Sequence, residues 1–119
     1  MIRTWNLLAT DDVGGDAEFL TDLVTGRGWR IEWIVSRGQA TPRGQWFDQD
    51  EDEWVLVVAG SAGLLIEGES TERVLTAGNA VWLPAHVRHR VTWTDPAVPT
   101  VWCAVFVSSD PVDPDDPGP

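Results

Sequence analysis

The sequence predicts an all-β domain, an antiparallel sandwich or barrel, and three observations carry that reading. Short runs of β-branched, aromatic and aliphatic residues recur along the chain. Glycine-bearing turns separate them at regular spacing, and almost no segment has helical period. One run, Trp29–Ser36, alternates cleanly, with Trp29, Ile31, Trp33 and Val35 on one face and Arg30, Glu32, Ile34 and Ser36 on the other.

In chain order, Ile2–Leu8 reads as a short extended segment and Asp11–Gly15 as a turn. Ala17–Val24 places Phe19, Leu20, Leu23 and Val24 at helical spacing, which predicts a short helix closed by Gly26 and Gly28. The Trp29–Ser36 strand follows, then a turn-rich loop over Arg37–Gly44. Five acids (Asp48, Asp50, Glu51, Asp52, Glu53) precede the apolar run Trp54–Ala59. Of these, Asp50, Glu51 and Asp52 are expected in a solvated hairpin loop. Gly60–Gly63 reads as a tight turn, and strands are expected at Leu64–Glu67, Arg73–Thr76, Ala80–Leu83, Arg88–Thr94 and Thr100–Val107. From Ser108 the chain is SSDPVDPDDPGP, too poor in apolar residues to offset the entropy of ordering. The expected organisation is an N-terminal strand and short helix over residues 1–28, a barrel over 29–107, and a disordered acidic tail over 108–119.

The 119 residues suffice for one domain with its own core. A net charge of −11 repels nucleic acid and anionic membrane, so neither is expected as a partner. No apolar stretch approaches the roughly 20 residues that span a bilayer, and no secretory segment opens the chain. A cytoplasmic location is the expectation. All eight basic residues are arginine, which removes a Schiff-base lysine from consideration. The single cysteine, Cys103, cannot form an internal disulfide. Eight tryptophans and no tyrosine bring large areas to bury, in a core or a subunit interface.

Two motifs then resemble those of the cupins, small double-sheet β-barrels of the jelly-roll type. The first cupin motif runs glycine, two histidines one residue apart, glutamate, six residues, glycine. Glu53 and Gly60, with WVLVVA between, match its second half. The second motif is matched by Gly78, Pro84 and His89 in GNAVWLPAHVRH, with His86 where the family often has glycine. The chain most resembles small single-domain cupins that carry W-F-D-Q, E-W-V and P-A-H-x-x-H-R-V, here Trp46–Gln49, Glu53–Val55 and Pro84–Val91. The resemblance implies an antiparallel double-sheet jelly-roll barrel with one pocket for a small polar organic molecule. It also implies a homodimer that pairs through a tryptophan-rich outer sheet face or exchanges an N-terminal strand.

The first-motif histidines are missing. Their positions fall on Phe47 and Gln49, or on Trp46 and Asp48, depending on the spacing taken. The metal set the resemblance implies therefore shrinks to Glu53, His89 and Gln49, with Asp48 and His86 as alternative ligands. Such oxygen-rich donors suit manganese, iron or zinc. The implied pocket holds Trp46 or Phe47, Gln49, Glu53, His86, His89, Phe106, Cys103 and some of Val55 and Val91. Arg88 and Arg90 flank His89 and should point away from it.

Three readings follow. A metal-dependent cupin oxygenase, isomerase or lyase would use Glu53 and His89 as ligands. A non-catalytic ligand-binding or sensory cupin would account for the missing histidines. A metal-free isomerase or lyase would use Glu53 and His89 as acid and base. Against all three stands a purely structural Glu53–His89 pair.

Overall fold

A computed structural model describes residues 1–108, and the acidic tail expected beyond them lies outside the described residues. Eight strands form: β1 (Phe19–Gly26), β2 (Trp29–Ser36), β3 (Glu51–Ala59), β4 (Ser61–Ile66), β5 (Arg73–Thr76), β6 (Ala80–Leu83), β7 (His89–Thr94) and β8 (Thr100–Ser108). They build two antiparallel sheets, one in the order β1-β2-β8-β3-β6 and the other β5-β4-β7. This is the double-sheet jelly-roll barrel that the sequence predicts. Among the described residues there is no helix, and so none long and apolar enough to cross a membrane.

The helix expected at Ala17–Val24 is instead part of β1. Its pairing with β2 slips between Asp22 and Val24, leaving Leu23 as an extra, bulged residue. A bulge turns two consecutive residues toward apolar surroundings, and Leu23 and Val24 are both half-buried. In one dimension that doublet imitates helical spacing.

The turn expected over Gly60–Gly63 contracts to Gly60 alone, where the chain leaves one sheet at Ala59 and enters the other at Ser61. Gly60 has φ +83, and a Cβ there would lie 2.6 Å from Thr100 Oγ1 and 2.7 Å from the Pro99 carbonyl oxygen. Only glycine fits the corner. Thr100 closes it by donating its hydroxyl to the Ser61 carbonyl at 2.9 Å.

The core lies between the sheets, where Val55, Val57, Ala62, Leu64, Leu75, Leu83, Trp102, Ala104 and Phe106 pack together. Strand register decides which side chains face it. Across β2, β8 and β3 one inward row is Arg30–Phe106–Glu53 and the next is Glu32–Ala104–Val55. The tryptophan face of β2 therefore points outward, alongside Cys103, Val105 and Val107 of β8 and Trp54 and Leu56 of β3. The N-terminal segment is anchored to this outer face by the Trp33 indole, which donates to the Leu7 carbonyl at 3.1 Å.

Candidate functional site

The barrel encloses a cavity of about 220 Å³ between the two sheets. Its apolar walls come from Ile34, Val55, Leu64, Leu83, Val91, Trp102 and Phe106, with Leu20 and Phe47 toward the opening. Its polar lining is Glu18, Arg30, Glu32, Gln49, Glu53 and His89.

Glu53 reaches the cavity because β3 alternates and its odd residues face inward, opposite Phe106 and Leu83. His89 opens β7 and pairs across with Phe47, whose amide donates to the His89 carbonyl at 2.8 Å while the return bond is 3.1 Å. Residues 47–49 thus run as an added edge beside 86–89. The same alternation sends Phe47 and Gln49 inward and Asp48 outward. Gln49 donates its amide to Glu53 Oε1 at 2.9 Å.

The Glu53 and His89 side chains are 10% and 7% exposed, and His89 Nε2 stands 3.7 Å from Glu53 Oε1. Nδ1 of His89 lies 2.9 Å from the Val87 carbonyl oxygen. A carbonyl can only accept, so Nδ1 carries a proton, and in the neutral ring Nε2 offers a lone pair to the cavity. Burial pushes the Glu53 carboxyl above its ordinary value. His89 and the Gln49 hydrogen bond oppose that rise, and nearby Glu32 adds to it. Burial likewise raises Glu32, against the pull of Arg30.

His86 lies outside the cavity. Pro84–Val87 forms a turn in which the Val87 amide bonds the Pro84 carbonyl at 3.1 Å, and His86 takes a φ of 65 at its third position. That conformation turns the ring to solvent, 64% exposed, with Nδ1 2.8 Å from Asp48 and Nε2 3.4 Å from Asp50. The hydrogen bond to Asp48 leads in raising the His86 pKa, slight desolvation opposes it, and the charges of Asp48 and Asp50 add to the rise. Neither alternative ligand, Asp48 or His86, therefore meets Glu53 and His89.

Trp46 also turns away, its ring under the guanidinium groups of Arg88 and Arg90 at 5.6 and 5.9 Å. Arg88 pairs with Glu67 at 2.6 Å. Cys103 sits on the outer sheet face opposite Trp33 and Leu56, and burial there raises its thiol pKa. The acidic run is less solvated than its composition suggests. Asp48 and Asp50 face solvent, but Glu51 and Asp52 belong to β3 and not to the expected solvated loop: Glu51 pairs with Arg30 at 3.1 Å and Asp52 accepts the Ala85 amide at 2.8 Å.

Sequence reasoning missed Arg30, Glu32 and Glu18. Arg30 spans Asp22 at 3.4 Å, Glu32 at 3.1 Å and Glu51 at 3.1 Å. Glu18 accepts from Ser36, which in turn accepts the Trp102 indole at 3.1 Å. The polar face of Trp29–Ser36 was the available signal, since three of its four residues are Arg30, Glu32 and Ser36.

Among the described residues no group of three or more His, Cys, Asp or Glu side chains is gathered to hold a metal ion. Glu53 and His89 are two strong donors. The third neighbour, Gln49, donates its amide N–H to Glu53 and brings only a neutral amide oxygen as a donor. This set does not fit a resident divalent ion.

A family model described as a cupin domain matches residues 32–106. A crystal structure from Ralstonia eutropha JMP134, provisionally named a mannose-6-phosphate isomerase, is 46% identical. The match covers 91% of this chain and 100% of that one, with a TM-score of 0.87. A protein of unknown function from Streptococcus pyogenes matches at 17% identity over 93% of this chain and 91% of that one, TM-score 0.71. An RmlC-like cupin from Shewanella frigidimarina NCIMB 400 matches at 22% over 82% and 81%, TM-score 0.64. These last two show likeness of fold alone. No curated protein matches the sequence. Two aligned motifs, a two-sheet barrel with its cavity at the motif residues, and a family match over most of the barrel converge: the chain belongs to the cupin family.

Proposed function

We propose that this cupin binds a small polar organic molecule in its barrel and moves a proton on it with Glu53 and His89, as an isomerase or lyase does, without a resident metal. One observation carries the reading: Glu53 and His89 lie side by side, nearly buried, on the wall of the apolar cavity. Burial keeps a proton on Glu53 to higher pH than a surface carboxylate would hold it. His89 Nε2 is free to accept a proton, or to donate one once the ring is charged. Gln49 fixes the Glu53 carboxylate, and the Val87 carbonyl fixes the imidazole. Both groups are thus oriented before a ligand arrives, and apolar walls keep competing water away. The isomerase name given to the Ralstonia relative supports the isomerase form of this reading.

The test is solvent deuterium exchange into a panel of small carbonyl compounds, followed by NMR. Exchange is expected with the native chain and lost in Glu53→Gln and His89→Ala variants that keep native circular dichroism. Absence of exchange from every compound overturns the proton-transfer role, and so does exchange that survives both variants. Binding without exchange would identify a sensory or storage cupin.

One observation favours the metal-dependent reading. A backbone carbonyl orienting Nδ1 is the usual outer support of a metal-bound histidine. That reading needs further donors from the ligand or water. Titration of the chain with manganese, ferrous iron or zinc tests it directly. The expected result is no saturable binding, and stoichiometric uptake abolished by His89→Ala would establish the metal instead.

A further inference from the structure

The charge inside the barrel is more specific than its shape. Among the described residues Arg30 is the one guanidinium lining the cavity, and it is already paired with three carboxylates. One of its terminal nitrogens faces Asp22 and Glu32, the other faces Glu51, and its plane lies on the Phe106 ring at 3.8 Å. Three of its five N–H donors are taken, and the carboxylates around it repel a phosphate or carboxylate arriving from outside. Glu53 and Glu18 add two more carboxylates to the lining. Among the described residues, three lining acids, Glu18, Glu32 and Glu53, thus face one imidazole and one guanidinium that is itself paired with Asp22, Glu32 and Glu51. Register puts most of this charge at one end of the cavity, in the rows through Glu32 and Arg30. The other end is Ile34, Trp102 and Leu64. Independently of the acids, the His89 side chain is more than nine-tenths buried. Its Nε2 faces the cavity with no acceptor or donor closer than the 3.7 Å to Glu53. That polar atom is left for a ligand.

From this arrangement we infer that the cavity selects a small organic cation, an ammonium head on a short apolar body, and rejects phosphorylated and carboxylate ligands. The head lies between Glu32 and Glu53, and the body lies against Trp102 and Ile34. The inference rests on reading the cavity as the ligand site. It separates this chain from any role that requires a sugar phosphate. Burial raises both Glu32 and Glu53, and a cation bound beside them would oppose that rise. Glu32 and Glu53 bear their desolvation cost before any ligand arrives, so a cation gains their attraction at the cost of its own desolvation alone, whereas an anion meets repulsion.

The experiment compares n-butylammonium, 1-butanol and butyrate, similar in size and different in charge, with mannose 6-phosphate as a fourth probe. Each is titrated into the isotopically labelled full chain, and the Trp102 indole and His89 imidazole signals are followed. Trp54 and Trp82, on the outer face, serve as internal controls. The ammonium is expected to bind about 10-fold more tightly than the alcohol, and the alcohol more tightly than butyrate. Mannose 6-phosphate is expected to cause no shift. Glu32→Gln should erase most of the preference. Glu18→Gln, whose carboxylate lies at the Ser36 and Trp102 end away from the head, should change it by less than about 2-fold. Binding of the alcohol with equal or weaker binding of the ammonium overturns the charge inference and leaves the cavity reading intact. Tighter binding of butyrate or mannose 6-phosphate does the same. If no probe moves the Trp102 and His89 signals, the cavity reading itself falls, and this inference with it.

Discussion

The guanidinium of Arg30 lies 3.8 Å above the ring of Phe106, and both side chains face into the barrel from neighbouring strands. The stacked pair is the hinge between the charged and apolar ends of the cavity. The arginine needs its acids and the acids need the arginine. Arg30→Ala should strand Glu32 and Glu51 without counter-charge and uncover the ring. The expected loss is about 1–3 kcal/mol in urea denaturation, the lower end reflecting partial exposure of the network. Arg30→Lys should recover only part of it, because an ammonium can neither fork between carboxylates nor stack.

The corner at Gly60 should be the least tolerant turn in the chain. Gly60→Ala combines a positive φ with a Cβ driven into the backbone of Pro99 and Thr100, and about 2–4 kcal/mol of destabilisation is expected. Gly68 has φ +91 with open space around it, so Gly68→Ala should carry the conformational cost alone, about 1 kcal/mol. Thermal unfolding of the two variants side by side checks the difference.

Stability should fall as Glu53 ionises. Its folded pKa is raised above the ordinary 4.5, with burial the leading cause. A carboxyl raised on folding binds its proton more tightly in the native state. Its contribution is therefore full below the unfolded pKa and is lost as pH climbs through the folded one. Glu53→Gln mimics the neutral form. Relative to the native chain, the variant should become more stable on moving from pH 4 to pH 8. Denaturation curves at both pH values decide it, and an opposite trend would show that the charged pair with His89 dominates.

The outer face of the five-stranded sheet should pair with a second copy. Trp54 and Trp82 stand opposite one another across β3 and β6, 37% and 53% exposed, with Trp29 and Val107 also open on the same face. So large an apolar surface is unusual on a monomer. Sedimentation should give twice the chain mass, and Trp54→Glu with Trp82→Glu should give the monomer with its barrel intact.

Much of the barrel was legible because strand alternation and glycine corners are local. Arg73–Thr76 and Ala80–Leu83 form strands at the bounds their pattern marks. The Leu23 bulge was not legible, because a doubled apolar residue reads the same in a helix and in a bulged strand. At the site, motif spacing led to Glu53, His89 and Gln49. It could not tell Phe47 from Trp46 until pairing with His89 fixed which residues face inward. His86 lay hidden by its backbone, since nothing in its side chain announces a positive φ. Arg30 and Glu32 went unseen for a different reason. The usual rule turns the apolar face of a strand to the interior, and β2 does the opposite.

That inversion has a consequence for folding. A one-residue slip of β2 against β8 would turn Trp29, Ile31 and Trp33 into the barrel and put Arg30 and Glu32 outside, the ordinary arrangement for such a pattern. The misregistered chain would fill its own cavity and bury more tryptophan, so it competes with the native state on hydrophobic terms. What opposes it is polar: Arg30 among its carboxylates, and the Glu18–Ser36–Trp102 chain that ties β2 at its other end. The groups that give the cavity its chemistry therefore also keep the strand in register.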